Sequence, residues 1–212
     1  MILYLLPGVG CDRRLFSRLQ LPGMEVNVLE WPAFPPGCTI GDLAEVMQEG
    51  VDKARPHVLA GVSLGGMVAQ ELARLTRPEK VLLISTWTGP REWPPRVRLA
   101  HALGLPALIR PATMRMTWPV KRILGPRPRD IDKLLWDMAV DQGAHQIRRG
   151  VEAVLRWKGS TWKGPVYRIH GDNDHVIPLR FAADRIVPDG GHIMVLTKAD
   201  EVSQALVEAV GG

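Results

Sequence analysis

The sequence predicts an α/β fold, a doubly wound and mainly parallel sheet of about six strands in a single domain spanning 1–212. Three observations carry that expectation. Strand-like and helix-like segments alternate along most of the chain, the pattern of successive βαβ units. The segments Ile2-Leu3-Tyr4-Leu5-Leu6 and Val58-Leu59-Ala60 are continuous apolar runs, as strands buried on both faces should be. Directly after the second run comes Gly61-Val62-Ser63-Leu64-Gly65, a G-x-S-x-G placed where a strand gives way to a helix-forming stretch.

The elements follow in order. The first strand, 2–6, opens into the glycine-containing loop Pro7-Gly8-Val9-Gly10-Cys11-Asp12, and a helix is expected over about 12–20. A strand at 25–30 precedes a helix at 39–53, where Leu43, Val46, Met47 and Val51 recur at helical spacing and give one apolar face. The strand 57–62 leads into a helix at 64–76, and a further strand is expected at 81–86. After a long interruption Pro165-Val166-Tyr167-Arg168-Ile169-His170 reads as a strand. It ends in Gly171-Asp172-Asn173-Asp174-His175-Val176-Ile177-Pro178, a turn with two carboxylates. Gly190-Gly191-His192 then precedes an apolar stretch taken as a last strand at 193–196, and a helix at 199–210 closes the chain.

The pentapeptide and its context point to chemistry. At a sharp strand-to-helix turn the serine is held in strained backbone geometry that only small neighbours allow; Gly61, Gly65 and Gly66 supply them. The Ser63 hydroxyl then stands exposed beside the backbone N–H of Leu64. A nucleophilic serine needs a base and the base an orienting acid, and the chain offers both in the order serine, carboxylate, histidine: Ser63, then Asp172 and Asp174, then His192. A dinucleotide reading of Gly8-x-Gly10 fails, because no third glycine follows at the required spacing.

The elbow Gly61 to Gly65, the segment His170 to Pro178 and the Gly-Gly-His at 190–192 together resemble the α/β-hydrolase superfamily over nearly the whole chain. The resemblance implies Ser63 as nucleophile, His192 as general base and Asp174 as acid, because the family's acid precedes an apolar-Pro pair, here Ile177-Pro178. Asp172 is left to hold the turn. The alternative acid position after the preceding strand reads Ser85-Thr86-Trp87-Thr88 and offers no carboxylate. The loop Pro7 to Asp12 resembles the family's oxyanion loop, with Pro7 where a histidine is common, and implies that the N–H groups of Val9 and Leu64 form the oxyanion hole. Against the family pattern the chain opens at what would be the third strand, a trimmed core.

The stretch 87–162 breaks the alternation, is rich in proline, and has its best helical pattern from Asp130 to Trp157. The resemblance makes it a small, mostly helical cap inserted over the active site. It contains six of the seven tryptophans, Trp87, Trp93, Trp118, Trp136, Trp157 and Trp162. Either Trp87, Trp136 and Trp157 line an apolar acyl pocket or the tryptophans anchor a thin cap to the core. The stretch also carries fourteen Lys and Arg against six acidic residues, a patch that steers an anionic substrate such as a carboxylate or CoA ester, or else a solvated surface.

Composition sets outer bounds. At 46% hydrophobic and 23% charged the chain suits a globular domain with a sizeable core. No membrane span and no leader peptide are expected, and Cys11 and Cys38 suggest neither a metal site nor a disulfide framework, so a cytoplasmic location is expected. No nucleic-acid module is evident despite the net charge of +5. His170, Asp172, Asp174, His175 and His192 fit no metal-site spacing; no cofactor is expected, and His57, His101 and His145 receive no role. The expectation is therefore a serine hydrolase acting on an ester, thioester or related acyl bond of a small molecule. A C–C bond hydrolase or perhydrolase on the same triad, or a ligand-binding protein that keeps the fold, are the alternatives.

Overall fold

The computed structural model describes residues 1–103, 109, 110, 112 and 128–211, except the side chains of residues 96, 98, 100 and 101. Trp118, the prolines at 106, 111, 119 and 126, and Arg115, Lys121, Arg122 and Arg127 fall outside these residues. Six parallel strands form one sheet, β1 (Ile2–Leu6), β2 (Glu25–Val28), β3 (His57–Val62), β4 (Lys80–Ile84), β5 (Val166–Gly171) and β6 (Arg185–Val187), in the spatial order β2-β1-β3-β4-β5-β6. β1 lies between β2 and β3, with Ile2 opposite both Glu25 and His57. Its apolar run is buried throughout because layers cover both faces of the sheet.

Alternation divides the strands between two cores. Ile2, Tyr4, Leu6, Leu59, Val81 and Leu83 face α1 (Ile40–Met47) and α2 (Leu64–Thr76). Leu3, Leu5, Val58, Ala60, Leu82 and Ile84 join the opposite cluster, which holds apolar residues of α4 (Arg129–Gln142), α6 (Met194–Thr197) and α7 (Ala199–Gly211). Thr39 caps α1 reciprocally with Asp42, fixing where that helix begins. Leu43, Met47 and Val51 turn inward as expected, whereas Val46 is 53% exposed.

Several expected boundaries are corrected. The apolar run at 193–196 is no strand; it is most of the short helix α6, and the sixth strand lies earlier, pairing Ile169 with Arg185. The chain turns back at Asp189, whose φ is 56°, and at Gly190, which lies against Gly171 so closely that a Cβ there would come within 2.9 Å of the Gly171 Cα. Residues 12–20 form only a 3-10 turn, Arg13–Phe16, begun by the Asp12 carboxylate accepting from the Arg14 N–H at 2.9 Å. The pattern from Asp130 to Trp157 is two helices, α4 and α5 (Ala144–Arg156), broken at Gly143 with φ 79°.

The insert between β4 and β5 also contains α3 (Pro95–Ala102). α4 is tied to the core by Arg14–Asp141 at 2.6 Å and by the Arg18–Asp130 pair. α5 crosses the loop after β1, and Trp157 at its end donates its indole N–H to buried Glu71 of α2 at 2.9 Å. Because the chain passes from β1 to β2 on one side and to β3 on the other, the loops after β1 and β3 diverge at their carboxyl ends, the switch point where open α/β sheets bind ligands. Among the described residues no helix is long and apolar enough to cross a membrane.

Candidate active site

Ser63 stands at that switch point, between β3 and α2, with φ 53° and ψ −118°. Such a backbone is costly for a residue with a side chain and persists only where its surroundings enforce it. They do so by proximity. A Cβ on Gly61 would lie 2.3 Å from the Gly65 carbonyl, one on Gly65 would lie 2.2 Å from the Leu6 oxygen, and one on Gly66 would lie 2.4 Å from the Thr86 methyl. The Ser63 N–H donates to the Ile84 carbonyl at 3.0 Å, and the Thr86 hydroxyl donates to the Ser63 carbonyl at 2.6 Å.

The structure brings Ser63, His192 and Asp174 together from three loops. His192 Nε2 is 3.1 Å from Ser63 Oγ, and His192 Nδ1 is 2.8 Å from Asp174 Oδ2. The other carboxylate oxygen of Asp174 accepts from the N–H groups of Val176 at 2.9 Å and Ile177 at 2.8 Å, so both oxygens are committed. Asp174 is 3% exposed. Burial alone would raise its pKa, but the hydrogen bond and charge of His192 and the Ile177 N–H outweigh it and hold the carboxyl below its usual range. Asp172 is exposed, and its backbone N–H reaches the Val187 carbonyl at 3.4 Å.

Val9 and Leu64 lie on either side of Ser63. The position a Cβ would take on Gly8 is 3.6 Å from Ser63 Cβ, which places the Gly8–Val9 peptide beside Ser63. Leu64 opens α2, where the helix dipole favours negative charge. Among the described residues neither N–H donates to a protein acceptor. Cys11 closes this loop by donating its N–H to the Gly8 carbonyl at 3.2 Å. Desolvation and the neighbouring Asp12 charge push its thiol pKa up to about 12, which keeps the thiol protonated.

Of the three tryptophans considered for an acyl pocket, two are buried and one is half-buried. Trp87 and Trp157 are 6% and 7% exposed in the core layer, Trp87 against Trp93 with centroids 6.1 Å apart, and Trp157 on Glu71. Trp136 is half-buried on α4. Two supporting residues were not singled out from the sequence. They are Thr86, whose hydroxyl holds the Ser63 carbonyl, and His170. His170 lies buried 3.7 Å from Asp174 Oδ2, with Nε2 2.7 Å from the Ile177 carbonyl. Burial lowers its pKa against the pull of Ile177 and Asp174, keeping the ring neutral and its Nε2–H directed at that carbonyl. The H-G-D sequence was the only available signal, and nothing in it distinguishes a supporting histidine from a surface one.

Known structures share this arrangement of elements. A thermophilic esterase from Thermogutta terrifontis, in its malate-bound structure, is 17% identical with a TM-score of 0.75, over 99% of this chain and 89% of that one. An esterase from Exiguobacterium antarcticum is 16% identical with a TM-score of 0.77, over 100% and 92%. MenH from S. aureus is 14% identical with a TM-score of 0.78, over 98% and 92%. At these identities the likeness concerns the fold. No curated protein sequence matches the chain significantly. The sequence model of the Alpha/beta hydrolase family matches residues 3–205, and with the sheet order and the strained elbow serine this establishes that the chain belongs to the alpha/beta hydrolase family.

Proposed function

We propose that this protein is a serine hydrolase that cleaves an ester, thioester or related acyl bond of a small molecule through an acyl-enzyme. The observation that carries the reading is the continuous relay from Ser63 Oγ through His192 to Asp174, at 3.1 and 2.8 Å, beside two uncommitted backbone N–H groups. With the Nδ1–H of His192 donated to Asp174, Nε2 is left as the acceptor that a base requires. Ser63 gives its proton to Nε2 as Oγ bonds to the substrate carbonyl carbon. The carbonyl electron pair moves onto oxygen, where the Val9 and Leu64 N–H groups hold it. The leaving group departs with the proton from Nε2. Water then loses a proton to Nε2, attacks the acyl carbon, and returns Ser63 protonated. No metal or cofactor takes part in this sequence.

The helical insert is the cap of this site, since Gly150 of α5 lies against Val9 and Leu64 themselves. Trp87 and Trp157 fasten it to the core, which makes Trp136 the tryptophan of the three to test against acyl-chain length. Ser63→Ala is expected to abolish fluorophosphonate labelling and lower turnover of p-nitrophenyl esters by about a million-fold in a protein that still folds. Substantial residual activity in the folded variant would sink the assignment. A protein that only binds acyl ligands would fail to label from the outset. Esters of graded length, with CoA thioesters alongside, identify the acyl class.

A further inference from the structure

Trp31 touches neither Ser63 nor His192, yet its indole N–H donates to the Gly8 carbonyl at 3.1 Å. That carbonyl shares a peptide unit with the Val9 N–H. The unit is planar and trans, so its C=O and N–H point in opposite directions, and fixing the oxygen on one side fixes the N–H on the other. The Cys11 N–H, at 3.2 Å, is the second donor to the same oxygen. The unit adjoins Ser63, since a Cβ placed on Gly8 would lie 3.6 Å from the Ser63 Cβ. We propose that Trp31 is a positioning residue of the oxyanion hole, aiming the Val9 N–H at the developing oxyanion by holding the Gly8 carbonyl behind it. The proposal rests on the serine-hydrolase reading above.

Packing supports a fixed indole. Trp31 follows β2 and meets Phe34 edge to face, with centroids 5.3 Å apart and planes at 84°. Phe34 in turn is held by the insert: its N–H donates to Gln146 Oε1 at 2.9 Å and its carbonyl accepts from Arg149 at 2.7 Å, while Gln146 Nε2 donates to the Pro32 carbonyl at 2.7 Å. The far side of Trp31 faces a groove of about 550 Å³ that Val28, Pro32 and Val46 also line. The ring is half-buried, and its indole N–H is committed to the Gly8 carbonyl. A preorganised donor is effective because it is aligned before charge develops. Outright loss of an oxyanion donor costs about a hundred- to a thousand-fold in kcat. The Cys11 N–H remains when Trp31 is altered, so the peptide is loosened and not removed, and a smaller effect is expected.

Two forms of the full-length protein test this. Trp31→Phe removes the N–H but also volume; 3-benzothienylalanine incorporated at position 31 keeps the shape and removes only the N–H, which guards against a folding defect in the first. In both, kcat on a p-nitrophenyl ester is expected to fall about ten-fold with KM within about two-fold. The inhibition constant of a trifluoromethyl ketone, whose adduct places an ionised oxygen in the hole, should rise by the same factor. A residue acting only through stability would shift the melting temperature and leave these constants alone. Unchanged kcat and inhibition constant in the benzothienylalanine protein would overturn the proposal. Ser63→Ala, run in parallel, separates the failures. If labelling survives without Ser63, the hydrolase reading fails and this proposal with it; if Ser63 is required and the Trp31 forms behave as wild type, only the proposal fails.

Discussion

Asp172 and Asp174 stand two positions apart in one turn and have opposite surroundings, the first exposed and the second enclosed with both oxygens bonded. Asp174→Asn makes the consequence testable. The backbone N–H groups of Val176 and Ile177 select an oxygen at the Oδ1 position, so an asparagine there would present its NH2 to His192 Nδ1. The ring would then hold its proton on Nε2 and cease to accept from Ser63. A fall in kcat of about ten-thousand-fold is expected, with the fold retained, whereas Asp172→Asn should keep nearly wild-type kcat. Kinetics on both folded variants decide it, and a larger loss at Asp172 would reverse the assignment. The residues alone left both carboxylates open, because spacing says nothing about which one a turn encloses. Ser63 and His192 were legible because glycines mark their loops, while Trp31, in a loop with no motif, had no such signal.

Glycines inside two helices separate rigid from yielding contacts. A Cβ on Gly65 of α2 would meet the Leu6 and Pro7 carbonyl oxygens at 2.2 and 2.4 Å, backbone atoms at the end of β1 that have nowhere to go. On Gly150 of α5 it would meet the Val9 and Phe34 side chains at 2.8 and 2.9 Å, and these can rotate. Gly65→Ala is therefore expected to cost about 3 kcal/mol or more and to disrupt the elbow. In Gly150→Ala the helix-propensity gain of about 1 kcal/mol offsets part of the overpacking, leaving a net loss of about 1 kcal/mol. Denaturant melts of the two variants measure the difference, and equal losses would refute the distinction. The strands buried on both faces were legible from their apolar runs. The run at 193–196 was not, since four consecutive apolar residues satisfy a buried strand and one buried helical turn equally. Gly143 likewise lies within a periodic stretch that gave no sign of the break its positive φ imposes.

Across the whole molecule, charge and topology are divided in the same place. The segment 87–162 carries fourteen Lys and Arg against six acidic residues, and the remainder of the chain thirteen against sixteen. Three of the segment's acids turn toward cations outside it: Asp130 to Arg18, Asp141 to Arg14, and Glu92 to Arg168. Two more are shared within it, Asp137 with Lys133 and Glu152 with Arg148 and Arg156. The cationic excess thus belongs to the inserted segment, whose helix α5 crosses the loop beside Ser63. Apart from the buried Glu92–Arg168 pair, these exposed pairs add little stability. Their arrangement bears instead on what approaches the site, because a field of one sign raises the encounter rate of an oppositely charged substrate and is screened by salt. The Debye length shrinks from about 30 Å at 0.01 M to about 3 Å at 1 M. Over that range kcat/KM for an anionic substrate such as p-nitrophenyl hemisuccinate is expected to fall about ten-fold, while that of p-nitrophenyl butyrate stays nearly constant. The comparison must be made well below KM, where kcat/KM reports encounter and acylation together. Parallel salt profiles for the two esters would reduce the basic insert to a solvated surface and leave substrate choice to its shape.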